Sequence, residues 1–292
     1  MRQILTLVLG ALVVVGACGE DSASGDDRPT IVVTTTILGD IVGEIVGDAA
    51  SVEVVMPVGA DPHEFAPSAR QAEAIAGADL LVQNGAGFEA GMADVIDNAA
   101  DEGIDLFTLT DHVELLGDDP HVWTDPSRVA AGVEALGARL AEVEGVDTAA
   151  IAAQTDAYLA TLAELGSELD DVLAGLPSER RVLVTDHEVF GYFADRFDFE
   201  VVGTVIASTT TGAAPSAADL DALAATIRDA GVPAIFTESG HSDDLADALA
   251  DEVGDVEIVA LFAESLGGAG SGAETYVDMM RTNAELIVGA LS

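Results

Sequence analysis

Residues 147–174 read DTAAIAAQTDAYLATLAELGSELDDVLA, and this stretch decides the architecture. It contains no proline and one glycine, Gly166. Its apolar positions Ile151, Tyr158, Leu162, Leu165, Leu169, Val172 and Leu173 recur mostly at intervals of 3 or 4, the period of a helix with one buried face. At about 1.5 Å per residue such a helix spans roughly 40 Å, more than the diameter of a small domain. Pro177 ends it. A helix of this length suits a rigid strut between two domains.

On both sides of the strut, strands and helices alternate. Before it, apolar runs at Thr30–Thr35, Ser51–Met56, Asp79–Gln83 and Asp105–Thr108 read as strands. Helical spacing is expected at 37–46, 68–76, 88–100 and 126–143. After it, strands are expected at Arg181–Thr185, Glu200–Ile206, Ala234–Thr237 and Glu257–Leu261, with a closing helix over 273–290. Such alternation argues for parallel sheets with helical crossovers. The expected fold is therefore α/β, with two lobes, each a parallel sheet flanked by helices, joined by one long rigid helix. The lobes are expected over residues 30–146 and 177–292 and the joining helix over 147–176.

The N-terminus reads differently. Met1-Arg2-Gln3 is a short positive start, and Ile4–Val15 is an apolar run of signal-peptide length. It ends in Val15-Gly16-Ala17-Cys18, small residues before the chain's only cysteine, which resembles a bacterial lipobox. A lone cysteine forms no intrachain disulfide. Residues 1–18 are expected to be a lipoprotein signal peptide, with Cys18 the lipidated residue. The polar stretch over 19–29 is expected to be a flexible tether. The mature protein would then sit on the outer face of the cytoplasmic membrane, held by acyl chains.

The chain carries 53 acidic residues against 10 Lys and Arg, a formal net charge of −43, and every one of those basic residues is arginine. Such a surface repels phosphates and excludes nucleic acid as a partner. It favours cations and solubility. The acids are spread along the chain, as adaptation to salt would spread them, so charge alone identifies no metal binder.

Chemistry concentrates in the histidines. The chain has five, and two share a local frame: Asp61-Pro62-His63 and Asp119-Pro120-His121. Proline fixes its own φ and keeps the preceding Asp out of helical geometry, so each imidazole is carried on a stiff turn. In parallel α/β sheets, ligands bind beyond the carboxyl ends of the strands. His63 follows the second strand, His121 the fourth, and His187 the first strand of the second half. Glu264 follows the last strand. Three imidazoles and a carboxylate make a four-group site for Zn²⁺, with Mn²⁺ next in line although it prefers more oxygen. His112 reads as a surface-loop residue and His241 as packing at a helix start. Trp123 and Phe65 are expected to pack around the site, and Asp61, Asp119 and Glu188 to orient the imidazoles.

These residues carry a specific resemblance. Thr34-Thr35-Thr36-Ile37-Leu38-Gly39-Asp40, Asp61-Pro62-His63-Glu64-Phe65, Asp119-Pro120-His121-Val122-Trp123-Thr124-Asp125-Pro126, Thr185-Asp186-His187-Glu188-Val189-Phe190-Gly191-Tyr192-Phe193, Pro215-Ser216 and Tyr276-Val277-Asp278-Met279-Met280-Arg281 resemble cluster A-I metal-binding lipoproteins. These are the solute-binding components of zinc and manganese ABC importers. The resemblance runs over about residues 30–290. It implies two α/β lobes joined by one long helix, with metal held between them by His63, His121, His187 and Glu264. Glu264 stands where the family usually has aspartate, one methylene longer. A histidine at the third position favours zinc, whereas the family's His-rich loop before the second ligand is absent here. The implied partners are an ABC permease and its ATPase, and the protein is expected to be a monomer and not an enzyme. The alternatives are a zinc-dependent hydrolase, with Glu188 or Glu264 as base, and an adhesin using the same fold.

Overall fold

The computed structural model describes residues 28–292 apart from residues 213 and 243. Cys18, the signal-peptide reading and most of the tether lie outside the described residues.

The chain forms two parallel four-stranded sheets. The first holds β1 (Thr30–Val33), β2 (Ser51–Val54), β3 (Leu80–Gln83) and β4 (Leu106–Thr108) in the order β2-β1-β3-β4. The second holds β5 (Val182–Thr185), β6 (Glu200–Thr204), β7 (Ala234–Glu238) and β8 (Glu257–Leu261) in the order β6-β5-β7-β8. The two orders are the same topology written twice. In each, the first strand lies inside the sheet, and the chain turns one way to its second strand and the other way to its third. That reversal opens a crevice at the carboxyl ends of the strands.

Helices α1 (Thr36–Val46), α2 (Ala69–Ala76), α3 (Ala93–Asp101) and α4 (Pro126–Leu140) accompany the first sheet. Helices α6 (Gly191–Phe197), α7 (Ala217–Ala230), α8 (Asp244–Val253) and α9 (Tyr276–Leu291) accompany the second. Their starts are written in the sequence. The Ser68 hydroxyl and the Gln71 side chain form a reciprocal capping box, as do Ser216 and Asp219. Asp125 caps α4, with Pro126 as its first residue. Several strands and the helix before α5 end two or three residues short of expectation, at Val33, Val54, Thr204 and Leu140, and two helix starts lie later than expected. The closing helix begins at Tyr276, not 273, because Thr275 is its cap, accepting from the Asp278 N–H. The helix expected from residue 88 is preceded by a single 3₁₀ turn, Ala90–Met92. There Gly91 lies against the Phe65 carbonyl with no room for a Cβ.

The two halves are joined by α5 (Thr148–Leu173), 26 residues long and capped by Asp147, which packs on α1, α4 and α9. Its buried face is Ile151, Thr155, Tyr158, Leu162, Leu165, Leu169 and Leu173. Thr155 takes a place in the stripe because Gly137 of α4 leaves the space its side chain fills. Val172, expected in the stripe, is 40% exposed. No helix among the described residues is long and apolar enough to cross a membrane.

The core is not divided as the sheets are. One continuous apolar cluster runs from Ile31, Ile41 and Leu80 of the first sheet's layer, through Leu162 and Leu169 of α5, to Leu183, Phe236 and Met280 of the second. Smaller clusters cover the outer face of each sheet, around Val32 and Ile75 on one side and Val184 and Ile227 on the other. The two sheets are therefore packed through a shared apolar wall, with the crevice beside it.

Candidate metal centre

Each Asp-Pro-His turn is closed by the same bond. The His63 N–H donates to Asp61 Oδ1 at 2.9 Å, and the His121 N–H donates to Asp119 Oδ1 at 2.9 Å. An Asp side chain that accepts from the backbone two residues on, with proline between, is a self-contained turn. The two turns aim their imidazoles from the ends of β2 and β4 towards the second sheet. His187 comes from the residues just after β5, where the Thr185 hydroxyl donates to its carbonyl at 2.7 Å. Glu264 comes from the loop after β8.

These four residues converge. His63 is 6% exposed, His121 and His187 are fully enclosed, and Glu264 is 1% exposed. One Glu264 oxygen, Oε1, lies 2.9 Å from His63 Nε2, 3.2 Å from His187 Nε2 and 3.5 Å from His121 Nε2. One ligand atom from each of the four residues can be chosen so that all lie within 4.8 Å of one another. Ligands about 2.0–2.1 Å from a tetrahedral zinc stand about 3.3 Å apart, close to these separations. Buried atoms without a hydrogen-bond partner include His121 Nε2 and Glu264 Oε2. Unpaired buried polar atoms are costly, and a cation at this point satisfies both.

The electrostatics follow from that crowding. Burial alone pushes His187 down, but hydrogen bonding and charge from Asp186 and Glu264 outweigh it and raise it to about 10. Burial alone pushes Glu264 up, yet the His121, His187 and His63 imidazoles gathered around it hold it well below the usual carboxylate range. Behind it Glu238 goes the other way, raised first by burial and then by the Glu264 charge.

The expected orienting groups divide. Asp119 does hold a ring, with Oδ1 2.7 Å from His121 Nδ1. Asp61 instead bonds the His63 backbone and the Thr211 hydroxyl. Glu188 is exposed and lines a cavity of about 460 Å³ beside Asp118, Asp119 and Phe190. The carboxylate nearest His187 Nδ1 is Asp186, at 3.9 Å. Trp123 packs at the site as expected, its ring centroid 5.3 Å from that of His121. Phe65 does not; Phe88 takes that place, edge-on to His63 at 5.1 Å and to His121 at 5.8 Å. His112 is exposed and stacks on Phe107 at 4.8 Å. His241 meets Glu238 through its backbone N–H and is outside the converging group.

Sequence reasoning passed over Phe88, Asn84, Glu89 and Glu238. The signal available was Asn84-Gly85-Ala86-Gly87-Phe88-Glu89, a Gly-rich turn after a strand ending in an aromatic and an acid. For Glu238 it was an acid closing the wholly buried strand β7.

The comparisons with known proteins agree in extent and fold. The family model described as zinc-uptake complex component A, periplasmic, matches residues 31–290. The zinc-binding protein TroA of Treponema pallidum is 34% identical over 289 residues, 94% of this chain and 93% of the relative. The manganese-binding lipoprotein MntA of Halalkalibacterium halodurans is 28% identical over 291 residues, 97% of this chain and 95% of the relative. The solved structure of the Treponema pallidum periplasmic zinc-binding protein TroA superposes with a TM-score of 0.85 at 32% identity, over 91% of this chain and 99% of that one. With a model match over nearly the whole described chain and the same two-sheet fold, the protein belongs to the family of zinc-uptake complex component A.

Proposed function

We propose that this protein captures a divalent transition metal outside the cytoplasmic membrane, zinc in preference to manganese, and delivers it to an ABC permease and its ATPase. His63, His121, His187 and Glu264 are the ligands in this reading, and Cys18 carries the lipid anchor. The observation that carries it is the convergence of three Nε2 atoms on one carboxylate oxygen, from four separate loops of two sheets, with no surface exposure above 6%. Three nitrogens and one carboxylate suit zinc better than manganese, which takes more oxygen. The relatives support a metal cargo of this kind, since one is named for zinc and another for manganese. Capture and release need no bond to be made or broken in a substrate. The protein's part is to offer imidazoles that are neutral once the metal has displaced their protons, exclude water, and present the loaded crevice to a membrane partner.

A hydrolase reading fits the geometry less well. A catalytic zinc keeps an open position beside a base. In the metal-capture reading Glu264 takes the fourth place, and Glu188, the other base considered, is exposed and outside the converging group.

The test is metal analysis of the purified protein, followed by zinc and manganese competition on wild type and Glu264→Ala. One tightly held zinc per chain is expected. Removing Glu264 is expected to cost more than the roughly 10–100-fold that loss of a supporting hydrogen bond costs. Unchanged affinity in Glu264→Ala would remove it from the site, and preferential loading with manganese would reverse the metal assignment.

A further inference from the structure

Two glutamates outside the ligand set are almost wholly enclosed, Glu89 at 4% and Glu238 at 3% exposure. Each takes its bonds from the backbone of a loop at the crevice. Glu238 closes β7, the neighbour of β8 in the sheet. Its Oε2 accepts from the Ala263 N–H at 2.8 Å and its Oε1 from the Glu264 N–H at 3.3 Å. One carboxyl group thus grips two consecutive peptides, and the second belongs to Glu264 itself.

Glu89 does the same in the other sheet's layer. Its Oε1 accepts from the Asn84 N–H at 2.7 Å and from the Thr34 hydroxyl at 2.8 Å, and its Oε2 from the Gly85 N–H at 3.0 Å. The Asn84 side chain then donates to the Pro120 carbonyl at 3.0 Å, the peptide that leads into His121. Phe88, next in the chain to Glu89, is the ring set edge-on to His63 and His121.

Enclosing an acid is costly, and a well-packed apolar residue serves stability at least as well. What an apolar residue cannot do is fix the direction of two N–H groups at once. Metal-binding groups depend on such outer partners for their orientation.

We propose that Glu238 and Glu89 are positioning residues, one behind each half of the crevice, which set the Glu264 loop and the His121 turn at the spacing a metal ion requires. This rests on the metal site proposed above. Neither residue touches the metal in this arrangement; each acts through the peptide it holds.

The experiment compares wild type, Glu238→Ala, Glu238→Gln, Glu89→Ala and a control, Leu249→Ala. Leu249 is 2% exposed in the outer cluster of the second sheet and contributes nothing to the crevice. Readouts are melting temperature, zinc affinity by chelator competition, and the visible absorption of the Co²⁺-loaded protein, which reports coordination geometry. Glu238→Ala and Glu89→Ala are expected to bind zinc about 10–100-fold more weakly and to shift the Co²⁺ bands. Glu238→Gln keeps one acceptor oxygen and is expected to recover part of both. Leu249→Ala is expected to lower the melting temperature and leave affinity and bands unchanged. Wild-type affinity and bands in folded Glu238→Ala and Glu89→Ala would overturn the proposal. So would failure of both to fold, since their role would then be the fold itself. A wild-type protein that binds neither zinc nor Co²⁺ would end the metal-site reading as well, whereas a binding wild type with indifferent variants ends only this inference.

Discussion

The Trp123 indole Nε1 donates to the Ala263 carbonyl at 2.6 Å, so a residue of the first sheet's layer fixes the backbone one position before Glu264. The Tyr276 hydroxyl in turn donates to the Trp123 carbonyl at 2.7 Å. The loop that carries Glu264 is thereby tied to the other half through a buried ring.

Trp123→Phe keeps most of the ring and removes the donor. An unsatisfied buried carbonyl costs about 1–3 kcal/mol, so the melting temperature is expected to fall and zinc affinity to weaken with it. Calorimetry and chelator competition check both, and an unchanged melting temperature would show that the bond contributes nothing.

Metal capture is expected to strengthen as pH rises. His187 is held at about 10 against an ordinary value of 6.5, so below about 10 it carries a proton that competes with the metal. Metal ligation requires the neutral ring. Each pH unit below that value should therefore cost about tenfold in affinity if one proton is displaced. Titration calorimetry in two buffers of different protonation enthalpy counts the protons released; no release on zinc binding at pH 7 would contradict the displacement.

Asp40 offers a second pH effect away from the metal. It accepts from the Tyr276 N–H at 2.8 Å, joining α1 to the start of α9. Burial first, partly opposed by that bond and reinforced by Glu44 and Asp278, raises its carboxyl from 3.8 to about 6. A folded carboxyl that binds its proton more tightly than the unfolded one stabilises at low pH, and that contribution is lost as pH rises through about 6. Asp40→Asn keeps an acceptor for Tyr276 without the charge. It is expected to melt above wild type at pH 8, with the difference shrinking near pH 4. Equal differences at both would count against the assignment.

A net charge of −43 with 10 arginines as the only cations besides His makes the folded chain repel itself. Screening length falls from about 10 Å at 0.1 M salt to about 3 Å at 1 M. The melting temperature is expected to climb over that range, and a flat or falling profile in sodium chloride would refute it.

Much of the architecture was legible because its signals are local. Short apolar runs such as Val182–Thr185, bounded by polar residues, favour buried strands, and Ser68, Pro126 and Ser216 announce helix starts by their own chemistry. The convergence of His63, His121, His187 and Glu264 was legible through topology, since each follows a strand whose carboxyl end faces the crevice. What stayed hidden depends on contacts distant in sequence. Thr155 joins the buried stripe of α5 only because Gly137 lacks a side chain, and Val172 is left outside although it is apolar. Nothing in the sequence sets Glu238 apart until Ala263 and Glu264 are brought beside it. Asp61 and Asp119 sit in identical tripeptides, yet only Asp119 reaches its histidine's ring, because the Asp61 carboxylate is taken by Thr211.

The apolar wall that the two sheets share has a consequence for how the protein can be made and divided. Leu162 and Leu169 of α5 belong to one apolar cluster that draws on the layers of both sheets, so a cut near residue 147 or 177 is expected to bare part of that cluster on each fragment. The halves repeat one topology, but neither is a portable module. Either fragment expressed alone is expected to aggregate or to pair with its missing counterpart.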